Sequence, residues 1–165
     1  MEIEEKKLKI TFDALLKTLP KDKRDQIKSS EVLILPINFE DLEKIDEQPF
    51  RTRAITVNKL LRNGNVKSEL FESDKHRPIL ELRGLDFLIP PILFLVTDPD
   101  ARAIAINIIS EFIYDRLKFL TRRSRKNTPL ELEFVKVARD GSLTSIKYQG
   151  SAEDFEQISK KLKSF

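Results

Sequence analysis

Residues Asp98–Leu120, DPDARAIAINIISEFIYDRLKFL, decide how this chain folds. From Ala101 to Leu120, thirteen of twenty residues are apolar. A surface helix carries one apolar stripe, whereas a helix apolar around most of its circumference is buried centrally or against a partner. Asp98 stands where a cap is needed, Pro99 suits the first helical position, and Asp100 meets the positive end of the dipole. Only a narrow polar stripe remains, along Asn107, Glu111, Asp115, Lys118 and Arg122. The pattern predicts a long, largely buried central helix.

Working outward, Leu85–Val96 is apolar apart from Asp86 and two prolines. It stops well short of the roughly 20 residues a membrane span requires, so it reads as buried core, with helix and strand both open over 85–97. Beyond the helix, Thr121–Pro129 is rich in charge and turn formers and reads as a linker. Leu130, Leu132 and Phe134 then alternate with Glu131, Glu133 and Val135, Asp140-Gly141 reverses the chain, and Leu143–Tyr148 returns as the partner strand. Ser151 and Asp154 resemble a capping box, and Phe155, Ile158, Leu162 and Phe165 mark one face of a closing helix.

Earlier in the chain, Leu8, Phe12, Leu15, Leu16 and Leu19 have helical spacing up to Pro20; the competing reading is a short strand over 7–10 with Thr11 capping a helix from Phe12. Lys21–Ser30 is highly charged and reads as a solvated connection. Val32–Ile37 is a compact apolar run expected to be a strand, and Asn38 is expected to cap a short acidic helix carrying Phe39, Leu42 and Ile45. Ile55–Arg62 and Asn65–Phe71 flank Asn63-Gly64, the preferred pair for a tight hairpin, although adjacent Leu60 and Leu61 spoil the alternation. Pro78–Arg83 would add a third strand. The fold class expected is α+β: an antiparallel β-meander, a long buried central helix, and a C-terminal β-hairpin plus helix. The whole chain, 1–165, reads as a single domain, with 129–165 a hairpin–helix subunit within it.

Composition narrows function by exclusion. The chain has 40% hydrophobic and 35% charged residues, no cysteine, and a net charge of +3. No disulfide, thiolate nucleophile or cysteine-bound metal is available. No signal-peptide core is read near the start, and a cytoplasmic location is expected. The sequence MEIEEKKLKI is acidic, then basic. Four glycines supply neither a nucleophile elbow nor a phosphate or dinucleotide loop, so no cofactor is expected. His76, the single histidine, sits in a polar turn with no partner picked out by sequence. Asp98, Asp100, Glu131, Glu133 and Lys136 are the residues a metal-dependent hydrolase or nuclease would use, but capping accounts for the aspartates and Lys136 belongs on the strand face opposite Glu133.

Two binding surfaces remain. Apolar surface around the central helix, tested at Ile106, Ile109, Ile113 and Leu117, is expected to close against a second copy or another protein. The basic run from Arg116 to Lys126, with Arg122, Arg123, Arg125 and Lys126 at its centre, is the alternative, contacting nucleic acid or another anionic surface. Helical spacing assigns nearby Tyr114 and Phe119 to the core. The C-terminal order of apolar helix, basic break, strand, Asp-Gly, strand and short helix resembles, in layout alone, small non-enzymatic components encoded beside effectors in bacterial conflict systems. The expectation is a non-enzymatic protein-binding or assembly module.

Overall fold

The computed structural model describes residues 2–80, 87–95 and 98–165. Two parallel strand pairs govern its architecture, because parallel neighbours cannot be joined by a tight turn and need a crossover, usually helical. Val32–Ile34 (β2) pairs in parallel with Ser68–Leu70 (β4), and Ile92–Phe94 (β7) pairs in parallel with Pro129–Val137 (β8). The first crossover contains helix Ala54–Asn63 (α3); the second contains Pro99–Leu117 (α4) and Arg122–Asn127 (α5). The sheet is therefore mixed. Its order is β1-β9-β8-β7-β2-β4, where β1 is Glu2–Thr11 and β9 is Ser142–Ser151, and the short strand Phe87–Leu88 (β6) also pairs with β8.

The expected antiparallel meander is replaced. Where a hairpin was predicted around Asn63-Gly64, Ala54, Val57, Asn58 and Leu61 are buried on one side of α3. That is a helical period, and adjacent Leu60 and Leu61, a defect in a strand, are ordinary neighbours in a helix. Gly64 ends α3 with φ −85°, and the left-handed residue is Asn65, at φ 63°. Of the predicted strand Pro78–Arg83, Ile79–Leu80 (β5) pairs in parallel with Phe50–Arg51 (β3), in a two-stranded ribbon apart from the main sheet. Residues 81–83 lie outside the described residues, as do the 85–86 and 96–97 parts of the run that was read as helix or strand. The described part of that run contains β6 and β7.

Two charged segments read as connections form helices: Lys21–Lys28 (α2), which buries Ile27, and α5. At the start, a ten-residue strand precedes a helix of five residues, Phe12–Leu16 (α1), whose cap Thr11 accepts a hydrogen bond from the Ala14 amide. The expected acidic helix is a 3-10 segment, Leu42–Glu47, preceded by Asp41 rather than Asn38. The C-terminal hairpin pairs in unbroken register from Pro129↔Ser151 to Val137↔Leu143, and Phe155–Ser164 (α6) follows. Ser151 Oγ reaches the Asp154 carboxylate at 3.4 Å but makes no bond to a helix amide.

The sheet's two faces build two cores. One face presents Val32, Ile34, Ile92, Phe94, Leu130, Leu132, Phe134, Ile146 and Tyr148 to α3, α4 and α6. Phe94 and Phe134 meet edge to face at 5.4 Å within it. The other presents Leu33, Leu93, Val135 and Leu143 to α1, α2 and the chain around Phe39 and Ile45. Helix α4 is therefore a sheet-covering crossover rather than a helix buried on all sides. Asp98 caps it by accepting from the Asp100 amide. Ala105, Ile106, Ile109, Ser110, Ile113 and Leu117 are buried, while Ile104 and Tyr114 are exposed.

Candidate functional site

The four residues singled out on the central helix all point into the sheet. Ile106, Ile109, Ile113 and Leu117 have no more than 3% of their surface exposed. They belong to the core, and no partner reaches them without lifting α4. The apolar surface left over lies elsewhere. Phe119 is 81% exposed, Ile104 52% and Tyr114 42%. Phe119 and Tyr114, assigned to the core by their spacing, stand at the corner where α4 ends and α5 begins. Phe119 follows the last helical residue, Leu117, and stands about 200° round from it at the α-helical turn, on the side away from the sheet.

That corner is built by local capping. The Leu117 carbonyl accepts from the Leu120 amide and from Arg125 Nε, both at 3.0 Å. Thr121 caps α5, its Oγ accepting from the Ser124 amide at 3.1 Å. Tyr114 packs against Phe155 of α6, ring centroids 4.9 Å apart. Between these elements lies a groove of about 250 Å³, lined by residues that include Tyr114, Asp115, Arg125, Glu153 and Phe155.

The basic run is less free than its sequence suggests. Lys118 pairs with Asp115 at 3.0 Å and stacks over Phe119, Arg122 approaches Glu153 at 3.7 Å, and Arg116 lies over the Phe112 ring. Arg125 is spent on the helix end. Arg123 and Lys126 are exposed. Local carboxylates thus offset part of the field that a phosphate backbone would meet, because affinity for nucleic acid grows with each cation left to neutralise a phosphate.

The carboxylates considered for metal chemistry are not brought together. Among the described residues, no three His, Asp or Glu side chains are placed to hold a metal ion. Lys136 lies on the face opposite Glu133, its Nζ donating to the Phe165 carbonyl and lying over the Phe165 ring. His76 is 87% exposed, with Nδ1 3.0 Å from Glu72. Beside it, buried Arg77 donates to the carbonyls of Phe71 and Ile45 and ties the loops together.

Sequence reasoning missed the joining of Arg51 to Glu131. Arg51 Nη2 lies 2.6 Å from Glu131 Oε1, Lys147 Nζ lies 3.3 Å from the same oxygen, and Arg51 Nη1 donates to the Ile89 carbonyl. The cluster locks the β3–β5 ribbon to β8. Burial alone would raise the Glu131 pKa, but Arg51 and Lys147 overcome it and hold the carboxyl below its usual range. Glu133, two residues along the same strand, is pushed up by burial. Glu131 and Arg51 are eighty residues apart, so no spacing in the chain signals this pair.

No protein-family model, curated protein or solved structure matches the chain. No helix among the described residues is long and apolar enough to cross a membrane.

Proposed function

We propose that the protein is a non-enzymatic binding and assembly module that self-associates through the apolar corner between α4 and α5. The observation that carries this is the 81% exposure of Phe119, beside half-exposed Tyr114 and a groove walled by Phe155. A large aromatic side chain held in water gains roughly 1.5–3 kcal/mol when a partner covers it. Interfaces concentrate their energy in such aromatic anchors. This moves the expected contact from the inner side of α4, which is core, to its outer end.

Light scattering on the gel-filtered chain over a range of concentrations tests it. Mass above 19.2 kDa that falls in Phe119→Ser, with thermal unfolding unchanged, supports the corner as an interface. Equal masses for the two proteins overturn it. A second reading, binding of a single-stranded nucleic acid, is favoured by the same Phe119 lying beside Lys118 and the α5 cations, since bases stack on exposed aromatics within cationic grooves. Fluorescence anisotropy with a labelled oligonucleotide decides it. Binding that weakens steeply with salt and is lost when Arg122, Arg123, Arg125 and Lys126 are replaced by Ser supports this reading, and binding indifferent to those changes overturns it.

A further inference from the structure

The two edges of the main sheet are unlike. At one end β4 has three residues; at the other β1 has ten and pairs on one side only, with β9. An edge strand presents a row of unpaired amide and carbonyl groups, and proteins blunt such edges by keeping them short, by proline, bulges or charged side chains, lysine above all, or by covering them. β1 carries lysines and an irregularity past Lys7, so its charges keep out neighbours that do not match them. β1 has no proline, and among the described residues no further strand pairs along it. Its ladder with β9 is regular from Glu2 to Lys7, and the register shift falls only between Lys7 and Thr11.

What stands along this edge is a charge pattern divided in the middle. Glu2, Glu4 and Glu5 occupy the first half, Lys6, Lys7 and Lys9 the second, and all six are exposed. Lys6 also meets Glu40 of its own chain at 3.4 Å, so the match across the edge leans most on Glu5 and Lys7. A parallel neighbour of the same sequence would set acid against acid. An antiparallel neighbour sets the acidic half of each strand along the basic half of the other. We infer that β1 is a self-complementary edge, and that two copies of the chain join antiparallel through it to make one continuous sheet.

The pleat restricts the register. Residues opposite one another share a face of the sheet, and a two-fold axis normal to the sheet returns each residue to that same face. Opposed residues therefore have numbers of equal parity. An axis through Glu5 sets Glu4 opposite Lys6; an axis through Lys6 sets Glu5 opposite Lys7. Either pair recurs on both sides of the axis. The like charge opposed to itself on the axis has a partner on the diagonal, Lys7 for Glu5 or Glu4 for Lys6. Each paired residue adds about one backbone hydrogen bond, and the ion pairs select the direction. An isologous contact of this kind closes at two copies. The edge is a second surface, and its use does not depend on the α4–α5 corner.

Charge reversal by halves tests the inference on the full chain. One variant carries Glu2→Lys, Glu4→Lys and Glu5→Lys; the other carries Lys6→Glu, Lys7→Glu and Lys9→Glu. Each alone opposes like charges along the whole edge and is expected to lose the β1-mediated halving-and-doubling step in light scattering, falling to half the wild-type mass. An equimolar mixture is expected to recover that mass as a heteromeric pair. Glu5→Lys and Lys7→Glu singly, at exposed positions, are expected to raise the dissociation constant by roughly tenfold with folding unchanged by circular dichroism. Reversed variants that keep the wild-type mass, or a mixture that fails to restore it, overturn edge pairing. If Phe119→Ser alone lowers the mass, edge pairing fails and the corner stands; if the reversals alone lower it, the corner fails and the edge stands. A wild-type chain that stays at 19.2 kDa at every concentration overturns both.

Discussion

Asn63-Gly64 and Asp140-Gly141 look alike in the sequence and do different things in the fold. Both follow an apolar run and precede another. Around Asp140-Gly141 the chain reverses into a hairpin, with Gly141 at φ 84° and the Ser142 amide donating to Asp140 Oδ1 at 2.9 Å. Around Asn63-Gly64 a helix ends, the Gly64 amide donating to the carbonyls of Leu60 and Leu61, and the chain leaves toward a strand that pairs with β2 rather than with the segment before the glycine. An X-Gly pair marks a place where the chain changes course. The period of the flanking apolar residues decides what it changes into.

The largest effect is expected at the residues that set the helical period of α3. Leu61 is fully buried and Leu60 only half-buried. Leu61→Ala is expected to cost about 2–5 kcal/mol and Leu60→Ala under about 1.5 kcal/mol, measured by urea unfolding. Ile55, on the exposed side of α3, would share a face with Leu61 in a strand, so a loss at Ile55→Ala as large as that at Leu61→Ala would break the helical account.

The glycines themselves come next. Gly141 has a left-handed backbone, which costs an L side chain about 1–2 kcal/mol, so Gly141→Ala is expected to destabilise by that amount. Gly64→Ala has no such backbone strain, and its new methyl meets chiefly the flexible end of Ile108. Its loss is expected to be the smaller of the two, and smaller still when combined with Ile108→Val. A larger loss at Gly64 would show that close packing on α4, rather than turn geometry, dominates there.

A pH-dependent contrast lies within the true hairpin. Burial raises the Glu133 pKa above its ordinary value. The stability tied to its protonated form is present in full below the ordinary carboxyl pKa and is lost as pH rises through the raised one. Glu133→Gln is therefore expected to stabilise the protein at neutral pH and to bring no gain in acid, as thermal unfolding at the two pH values will show. A variant less stable than wild type at neutral pH would contradict this sign.

The smallest effect is expected at Asp140, fully exposed, whose pKa is lowered first by its hydrogen bonds with Ser142. Its contribution is present above the ordinary aspartate pKa and is lost as pH falls through the lowered one. Asp140→Ala is expected to remove a slight acid-dependent loss of stability, with the Ser142 amide shift in NMR spectra ceasing to titrate. An Ser142 shift that still titrates in the variant would assign the effect to another group.

Much of this fold is legible where a segment's burial is one-sided and local. The alternation of Leu130, Leu132 and Phe134, the helical spacing of Phe155, Ile158 and Leu162, and the capped start at Asp98 each specify an element from a few adjacent residues. Lys21–Lys28 and Arg122–Asn127 were not legible as helices, because their charged residues give little apolar period and their ends are fixed by tertiary contacts such as Arg24 Nε donating to the Leu19 carbonyl and Arg125 Nε to that of Leu117. The candidate sites divide in the same way. The basic run could be read directly, but its partial neutralisation by Asp115 and Glu153 could not. Nor could the exposure of Phe119, which depends on which side of α4 the sheet covers.

The elements whose burial period repeats within one segment, the reversal at Asp140-Gly141 and the divided charge of residues 2–9 are all written in neighbouring residues. Which strands pair in parallel, and hence that α3 and α4 are crossovers on one face of the sheet, emerges only when distant segments pack together. Periodicity reports which side of an element is buried, since it follows from backbone geometry alone. It carries no record of the partner that does the burying, and strand order, the Arg51–Glu131 pair and the surface left uncovered all depend on that partner.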